Sequence, residues 1–249
     1  MIVLFTDFGY EGPYVGQMKA VLAQQAPGVS IVDLMHDVPT YNPRAAAYLF
    51  AQLVDEFPLD TVFVGVVDPG VGDPARRAVV LRADGRWYVG PDNGLFAVLA
   101  TRARSATWWE ITWQPLRLSN TFHGRDLFVP MAAHIAACGT PEPRVTPIEA
   151  GAVSDWPADL YEIIYIDRFG NAVTGIRAEA VDQNARVKVG GRTLNYANTF
   201  SAVPRGEAFW YANSSGLVEI AVNGSDAHRA LGIAVGNLVE ASEPNETGN

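Results

Sequence analysis

Residues 61–72 read TVFVGVVDPGVG, and the parsing of this stretch decides the architecture. An unbroken β-branched run, 61–67, has no polar alternation, so it predicts a strand buried on both faces, as in a parallel sheet flanked by helices. The run stops at Asp68-Pro69-Gly70-Val71-Gly72, where a proline and two glycines impose a tight backbone path directly after the strand. Outward from this strand the pattern alternates. Residues 2–5 and 31–34 read as strands, and residues 13–25 and 44–56 as helices opened by Pro13 and Pro43. Downstream, 78–82 and 87–89 predict a hairpin about Asp84-Gly85. Helices are expected over 94–102 and 125–137, with 107–112 extended. The expectation is an α/β domain over 1–140, its mainly parallel central sheet covered by helices.

The texture changes at 141–157, a stretch rich in proline and small residues that reads as a linker. Beyond it, short β-rich runs at 161–166, 172–176, 185–189, 192–194, 208–211, 217–222 and 233–239 are spaced by turn residues. That spacing predicts a smaller, antiparallel, β-barrel-like domain over 158–249. The tail, 242–249, is expected to fray.

Composition narrows the function. The chain has 249 residues, 49% hydrophobic and 18% charged, with a formal net charge of −9. No Lys or Arg run is present, which argues against nucleic acid or an anionic membrane and for a small-molecule partner. The single cysteine, Cys138, excludes an internal disulfide and a Cys-based zinc cluster, and its apolar setting predicts a buried structural thiol. No apolar run reaches membrane-spanning length and the first residues lack a basic leader, so a cytoplasmic protein is expected.

Polar residues follow three predicted parallel strands: Asp7 after the first, His36 and Asp37 after the second, Asp68 after the third. Open α/β sheets bind ligands at that edge. Asp68 either caps free amides of its turn or acts on a ligand there. The segment SNTFHGRD, 119–126, offers either helix capping by Asn120 or Thr121 or a reactive His123, whereas His134 and His228 read as structural. DRFGN, 167–171, is either a plain hairpin or a turn able to grip a zwitterion. NSSG, 213–216, can expose backbone groups that read the edge of a base. Dinucleotide, phosphate-loop, nucleophile-elbow and HExxH signatures are not found in the sequence.

Taken in order, TDFG (6–9), MKA (18–20), HDVP (36–39), VDPGVG (67–72), VGPDNGL (89–95), TFHGRD (121–126), DRFGNAVT (167–174) and NSSG (213–216) resemble one family. It is that of the S-adenosylmethionine (SAM) hydroxide adenosyltransferases, related to the fluorinase and chlorinase enzymes. The resemblance spans residues 2 to about 239 and implies hydrolysis of SAM to adenosine and L-methionine by homotrimers. Each site would lie between one subunit's N-terminal domain and its neighbour's C-terminal domain. It further implies catalytic roles for Asp68, for Arg76 or Arg77, and for His123. Asp7 would hold the ribose hydroxyls, with Tyr41 and Phe122 as aromatic walls and Gly124 beside them. Asp167 would meet the methionine ammonium, Phe169 and Asn171 continuing that motif. Phe200 would stack on adenine, and Ser214, Ser215 and Gly224 would contact the base edge. Two departures stand out. The spacer Asp73-Pro74-Ala75 is one residue longer than the resemblance leads one to expect, leaving Arg76 and Arg77 both open, and Thr174-Gly175-Ile176 replaces a usual Thr-Asn-Ile.

The chemistry implied needs no metal and no cofactor beyond SAM as substrate. A sulfonium departs as a neutral thioether, so the enzyme has to aim one water at ribose C5′ and exclude others. Three rival readings remain at this point: a SAM-dependent halogenase, a non-catalytic SAM or nucleoside binder, and a metal hydrolase using His36, Asp37 and Asp68.

Overall fold

Strand β1 (Ile2–Thr6) sits between β2 (Ile31–Met35) and β3 (Val62–Val66) and pairs parallel to both, Ile2 facing Ile31 on one side and Val62 on the other. The computed structural model describes residues 1–153 and 155–242, and the chain divides into two compact units, Met1–Trp156 and Pro157–Asn249. In the first unit β5 (Arg86–Pro91) pairs parallel to β3 and antiparallel to β4 (Ala78–Ala83). Beyond β4, β6 (Ala106–Ile111) and β7 (Val145–Ile148) are added antiparallel, giving the order β2-β1-β3-β5-β4-β6-β7. The sheet is therefore mixed, not mainly parallel. The hairpin explains why: Asp84 and Gly85 both adopt positive φ, the geometry that returns a strand antiparallel to its neighbour. Strand β7 lies inside the stretch expected to be a linker; its pairing with β6 ties that stretch into the first unit.

Alternation sorts the side chains of the sheet. Ile2, Leu4, Val62 and Val64 join Met18 and Leu22 of α1 (Tyr14–Gln25) and Met131 and Ile135 of α4 (Val129–Cys138) in one core cluster. The opposite parity supplies aromatics. Phe5 stacks on Phe50 of α2 (Pro43–Leu53) with centroids 4.2 Å apart, and Phe63 stacks on Tyr88 at 5.1 Å. A short α3 (Ala97–Arg102) begins beside Phe96, whose ring meets Phe50 and Tyr88. Helix α2 has Pro43 in its first turn and Asn42 as N-cap, whose side chain accepts the Ala45 N–H at 3.0 Å.

The helix expected over 125–137 opens as a π-helical turn, Gly124–Phe128, before α4. Pro130 supplies the cause: without an N–H, and with a ring that crowds the preceding turn, it cannot continue regular α bonding backwards. Cys138 is exposed rather than buried, because it is the last residue of α4 and lies past Ile135, the helix's final buried position.

In the second unit, seven strands follow the order β14-β10-β11-β12-β13-β9-β8. They are β8 (Leu160–Ile166), β9 (Ala172–Arg177), β10 (Arg186–Val189), β11 (Arg192–Tyr196), β12 (Ala208–Ala212), β13 (Leu217–Val222) and β14 (Glu240–Ser242). One pairing, β11 with β12, is parallel, so this sheet too is mixed rather than purely antiparallel. It curls: Leu238, just before β14 at one edge, bridges Glu162 on β8 at the other. The run 233–239, read as a strand, instead turns at Gly232 and Gly236, both at positive φ, and the strand forms only at β14. A short α5 (Ala227–Leu231) precedes it. Of the tail, 243–249 lies outside the described residues. Among the described residues, no helix is long and apolar enough to cross a membrane.

Candidate active site

Strands β1, β2 and β3 run parallel side by side, so the loops after them emerge at one sheet edge. The loop after β3 carries Asp68, whose Oδ1 accepts the Gly70 N–H at 3.2 Å and the Arg76 Nη1–H at 3.1 Å. Asp68 therefore both caps its turn and forms an ion pair. The pair is asymmetric, since the Asp68 side chain is 5% exposed while Arg76 is 26% exposed. Both glycines of the motif are required by close approaches. A Cβ on Gly70 would sit 2.5 Å from Arg76 Nη2, so glycine leaves the space through which the guanidinium reaches Asp68. A Cβ on Gly72, at φ 88°, would sit 2.3 Å from the Asn120 carbonyl oxygen, so glycine lets this loop press against the loop that carries His123.

Arg77 points elsewhere. Its Nη2 lies 2.6 Å from Asp92 Oδ2, and Asp92 also accepts the Ala152 N–H at 2.7 Å. The neighbouring Asn93 donates to the Val67 carbonyl at 2.8 Å, bracing the backbone just before Asp68. Geometry thus separates the two arginines: Arg76 serves Asp68, and Arg77 ties the VGPDNGL segment together.

A cavity of about 320 Å³ opens here, lined by Asp7, Tyr41, Asp68, Phe122, His123 and Gly124 among others. Sequence reasoning had not singled out Phe8, Tyr14, Thr40, Val71 and Phe128, which complete the wall. Phe8, Tyr14 and Phe122 form an aromatic corner with centroids 5.3–5.7 Å apart. Arg125 caps Phe122 from outside at 5.1 Å and is itself held by Asp126, which accounts for the charged end of TFHGRD. A Cβ on Gly124 would press on Phe122 at 3.2 Å. Tyr41, at φ 58° and 74% exposed, donates its N–H to Asp7 Oδ2 at 3.1 Å. A tyrosine held in the left-handed region costs backbone energy, a cost often met at binding sites.

Burial is the largest influence on both carboxylates. It pushes Asp68 above the ordinary carboxylate range, against the opposing pull of Arg76, the Gly70 amide and His123. Asp7 is raised for the same reason, with the Asp68 charge adding to the effect and the Tyr41 amide opposing it.

His36 is withdrawn from this cavity. It is fully buried, its Nδ1 lies 2.8 Å from Thr6 Oγ1, and its Nε2 approaches Asp33 Oδ1 at 3.2 Å, within ion-pair range but outside good hydrogen-bond geometry. Among the described residues no three His, Cys, Asp or Glu side chains gather as a metal site. His134 bonds the Glu142 carbonyl and His228 the Ile233 carbonyl.

The second unit has its own cavity, about 800 Å³, lined by Asp167, Phe169, Asn171, Phe200, Ser214 and Gly224. Ser215 lies outside the lining; its N–H bonds Asn213 Oδ1 at 3.0 Å. Asp167 Oδ1 accepts the N–H groups of Phe169 and Asn171, and Oδ2 accepts the Asn171 amide at 3.1 Å, so the DRFGN turn presents a pre-oriented carboxylate. Phe200 stands edge-on to Phe209 and Tyr211. Tyr211, Glu219 and Ser225 also line this cavity and were missed, and Asn213 of the NSSG stretch lines it too. A signal for Glu219 was available, a lone carboxylate within the apolar run LVEIAV.

Two family models match the chain: the SAM hydroxide adenosyltransferase N-terminal domain over residues 2–144 and the C-terminal domain over 161–240. The chain belongs to the SAM hydroxide adenosyltransferase family. An (R)-S-adenosyl-L-methionine hydrolase from Thermus thermophilus is 42% identical, covering 94% of this chain and 96% of that protein. A protein of the same name from Salinispora arenicola is 38% identical, with 95% of each covered. The crystal structure of an uncharacterized conserved protein from Thermotoga maritima superposes with a TM-score of 0.87 at 33% identity, covering 98% of this chain and 100% of that one. Membership makes the chain an enzyme of the adenosyl-transfer class.

Proposed function

We propose that the chain hydrolyses S-adenosyl-L-methionine to adenosine and L-methionine with Asp68, Arg76 and His123 as its catalytic set. The observation that carries this reading is the buried Asp68 carboxylate, held by Arg76 and facing the same cavity as His123. The water oxygen bonds to ribose C5′ as the C5′–S bond breaks, and that electron pair returns to sulfur, neutralising the sulfonium. The proton leaves water for Asp68, directly or through His123. Burial makes Asp68 a stronger base than a surface carboxylate, and the Arg76 charge opposes that rise and favours the ionised form. Activity consequently falls as pH drops through a value above the usual aspartate range. Asp7 offers Oδ1 to the ribose hydroxyls while Oδ2 holds Tyr41. Phe122 and Tyr41 wall the sugar and sulfonium, with Gly124 leaving room.

In the second cavity Asp167 receives the methionine ammonium beside Phe169 and Asn171, Phe200 stacks on adenine, and Ser214 and Gly224 read the base edge, while Ser215, outside the lining, gives its N–H to the turn instead. The enzyme works as a homotrimer in which a neighbour's second unit completes each site. It needs no cofactor, and its substrate is the (R) sulfonium epimer that the names of its relatives specify.

Turnover in oxygen-18 water tests the reaction. Adenosine should carry one heavy oxygen and methionine none, with the (R) epimer consumed preferentially. Unlabelled adenosine, a halonucleoside in the presence of chloride or fluoride, or tight binding without turnover would each overturn this reading.

A further inference from the structure

Glu219 lies in the middle of β13, opposite Tyr211 on β12 and Val173 on β9. Its neighbours Val218 and Ile220 belong to the core of the second unit, so alternation turns Glu219 to the other face and into the cavity. It is buried, at 5% exposure. A carboxylate taken from water in mid-sheet is costly unless its lone pairs are met. They are met by neutral donors: the Tyr211 hydroxyl at 2.6 Å to Oε1 and Asn213 Nδ2 at 2.8 Å to Oε2.

Two asparagines close the two turns that face the cavity, and one of them, Asn213, is a partner of Glu219. Asn171 spans the 167–171 turn through its bonds to Asp167. Asn213 closes the 213–217 turn, its Oδ1 accepting the N–H groups of Ser215 and Leu217 at 3.0 and 2.9 Å. With Oδ1 committed to its own turn, Asn213 has only its NH₂ to offer, and a carboxylate is the acceptor that suits it. One buried side chain therefore holds the turn assigned to the base edge, in the cavity that the turn assigned to the ammonium also lines.

We infer that Glu219 is a positioning residue that fixes the 213–217 turn in its substrate-binding geometry through Asn213. The inference rests on the second cavity being the substrate pocket. Its contribution lies in pre-organisation, which shows in binding and not in the bond change at C5′. Burial, with the Asp167 charge adding to it, pushes Glu219 above the usual carboxylate range, as expected where no cation offsets the buried charge.

Steady-state kinetics with SAM test it. Glu219→Ala should raise KM by about tenfold or more, the equivalent of one hydrogen bond to a charged group, with kcat within about threefold. Glu219→Gln can accept from Asn213 at its carbonyl and donate to the Tyr211 oxygen, keeping the geometry without the charge, and should recover most of that loss. An equal loss in both variants would overturn positioning in favour of a bare charge effect. So would an unchanged KM in Glu219→Ala while Asp167→Asn raises KM. If neither Asp167→Asn nor Glu219→Ala moves KM, the pocket assignment fails and this inference with it. Should the alanine variant not fold, Asn213→Ala cuts the same tie from the other end and carries the same expectation.

Discussion

The two cavities both hold buried carboxylates, yet they hold them differently. In the first unit Asp68 is met by a guanidinium and lies near an imidazole. In the second, Asp167 and Glu219 are met by backbone amides, side-chain amides and a phenol. An internal cation satisfies its carboxylate and fixes it as a tuned base. Neutral donors orient a carboxylate but leave its charge uncompensated, so a cationic ligand is the natural complement. On the proposed function the difference separates a place for proton chemistry from a place for gripping an ammonium, and it predicts that kcat and KM respond to different units of the chain.

The largest effect should come from the first cavity. Asp68→Ala should lower kcat by about 10²–10⁴-fold, the range for removing a positioned base, while SAM binding by calorimetry changes little. Adenosine release at the wild-type rate would remove the first half of the contrast. Gly70→Ala should follow, since its Cβ falls on the far end of Arg76 and displaces the guanidinium without disturbing the backbone. A kcat loss of about tenfold or more with Tm nearly unchanged is expected, and an unaffected kcat would show that the ion pair does not serve catalysis. In the second cavity, Asp167→Asn should raise KM by roughly 10–100-fold with a smaller change in kcat, the scale for a hydrogen bond to a charged group. A collapse in kcat with KM preserved would reverse the division of labour.

How much of this was legible in the sequence depended on range. The strand 61–67 and its glycine turn were readable because β-branching and positive-φ demands act locally. The hairpin about Asp84-Gly85 was readable for the same reason, but its consequence, the antiparallel half of the sheet, was not carried through to the topology. Strand β7 was missed because its four residues include Pro147 and its identity depends on pairing with β6. The choice between Arg76 and Arg77 could not be made along the chain, because Asp92, the partner that removes Arg77, lies 15 residues away. Glu219 stood out only as a lone carboxylate in an apolar strand; its partners, Tyr211 on the neighbouring strand and Asn213 in a turn, come together only in the fold. The resemblance supplied the residues proposed to touch substrate, and geometry supplied the ones that hold them.

The smallest predicted effect concerns stability, and its sign follows from burial. Asp68 titrates above its unfolded value of roughly 3.9, so between that pH and the higher folded value the native state keeps a proton the unfolded chain has lost. Stability contributed by that proton is complete below about pH 4 and is lost as pH rises through the folded value. Above that folded value the wild-type enzyme thus carries a buried charge that folding disfavours. Asp68→Asn abolishes that charge, its carbonyl can still accept from Gly70 and Arg76, and the partly exposed Arg76 is left to water. The variant should melt at or above the wild-type Tm at pH 7, by roughly 2–4 °C for each kcal/mol recovered, and the two melts should converge toward pH 4. If Asp68→Asn instead melts lower at pH 7, the Arg76 pairing outweighs burial. Asp68 would then be a structural ion-pair member, and the distinction between the two cavities would narrow to a difference in size.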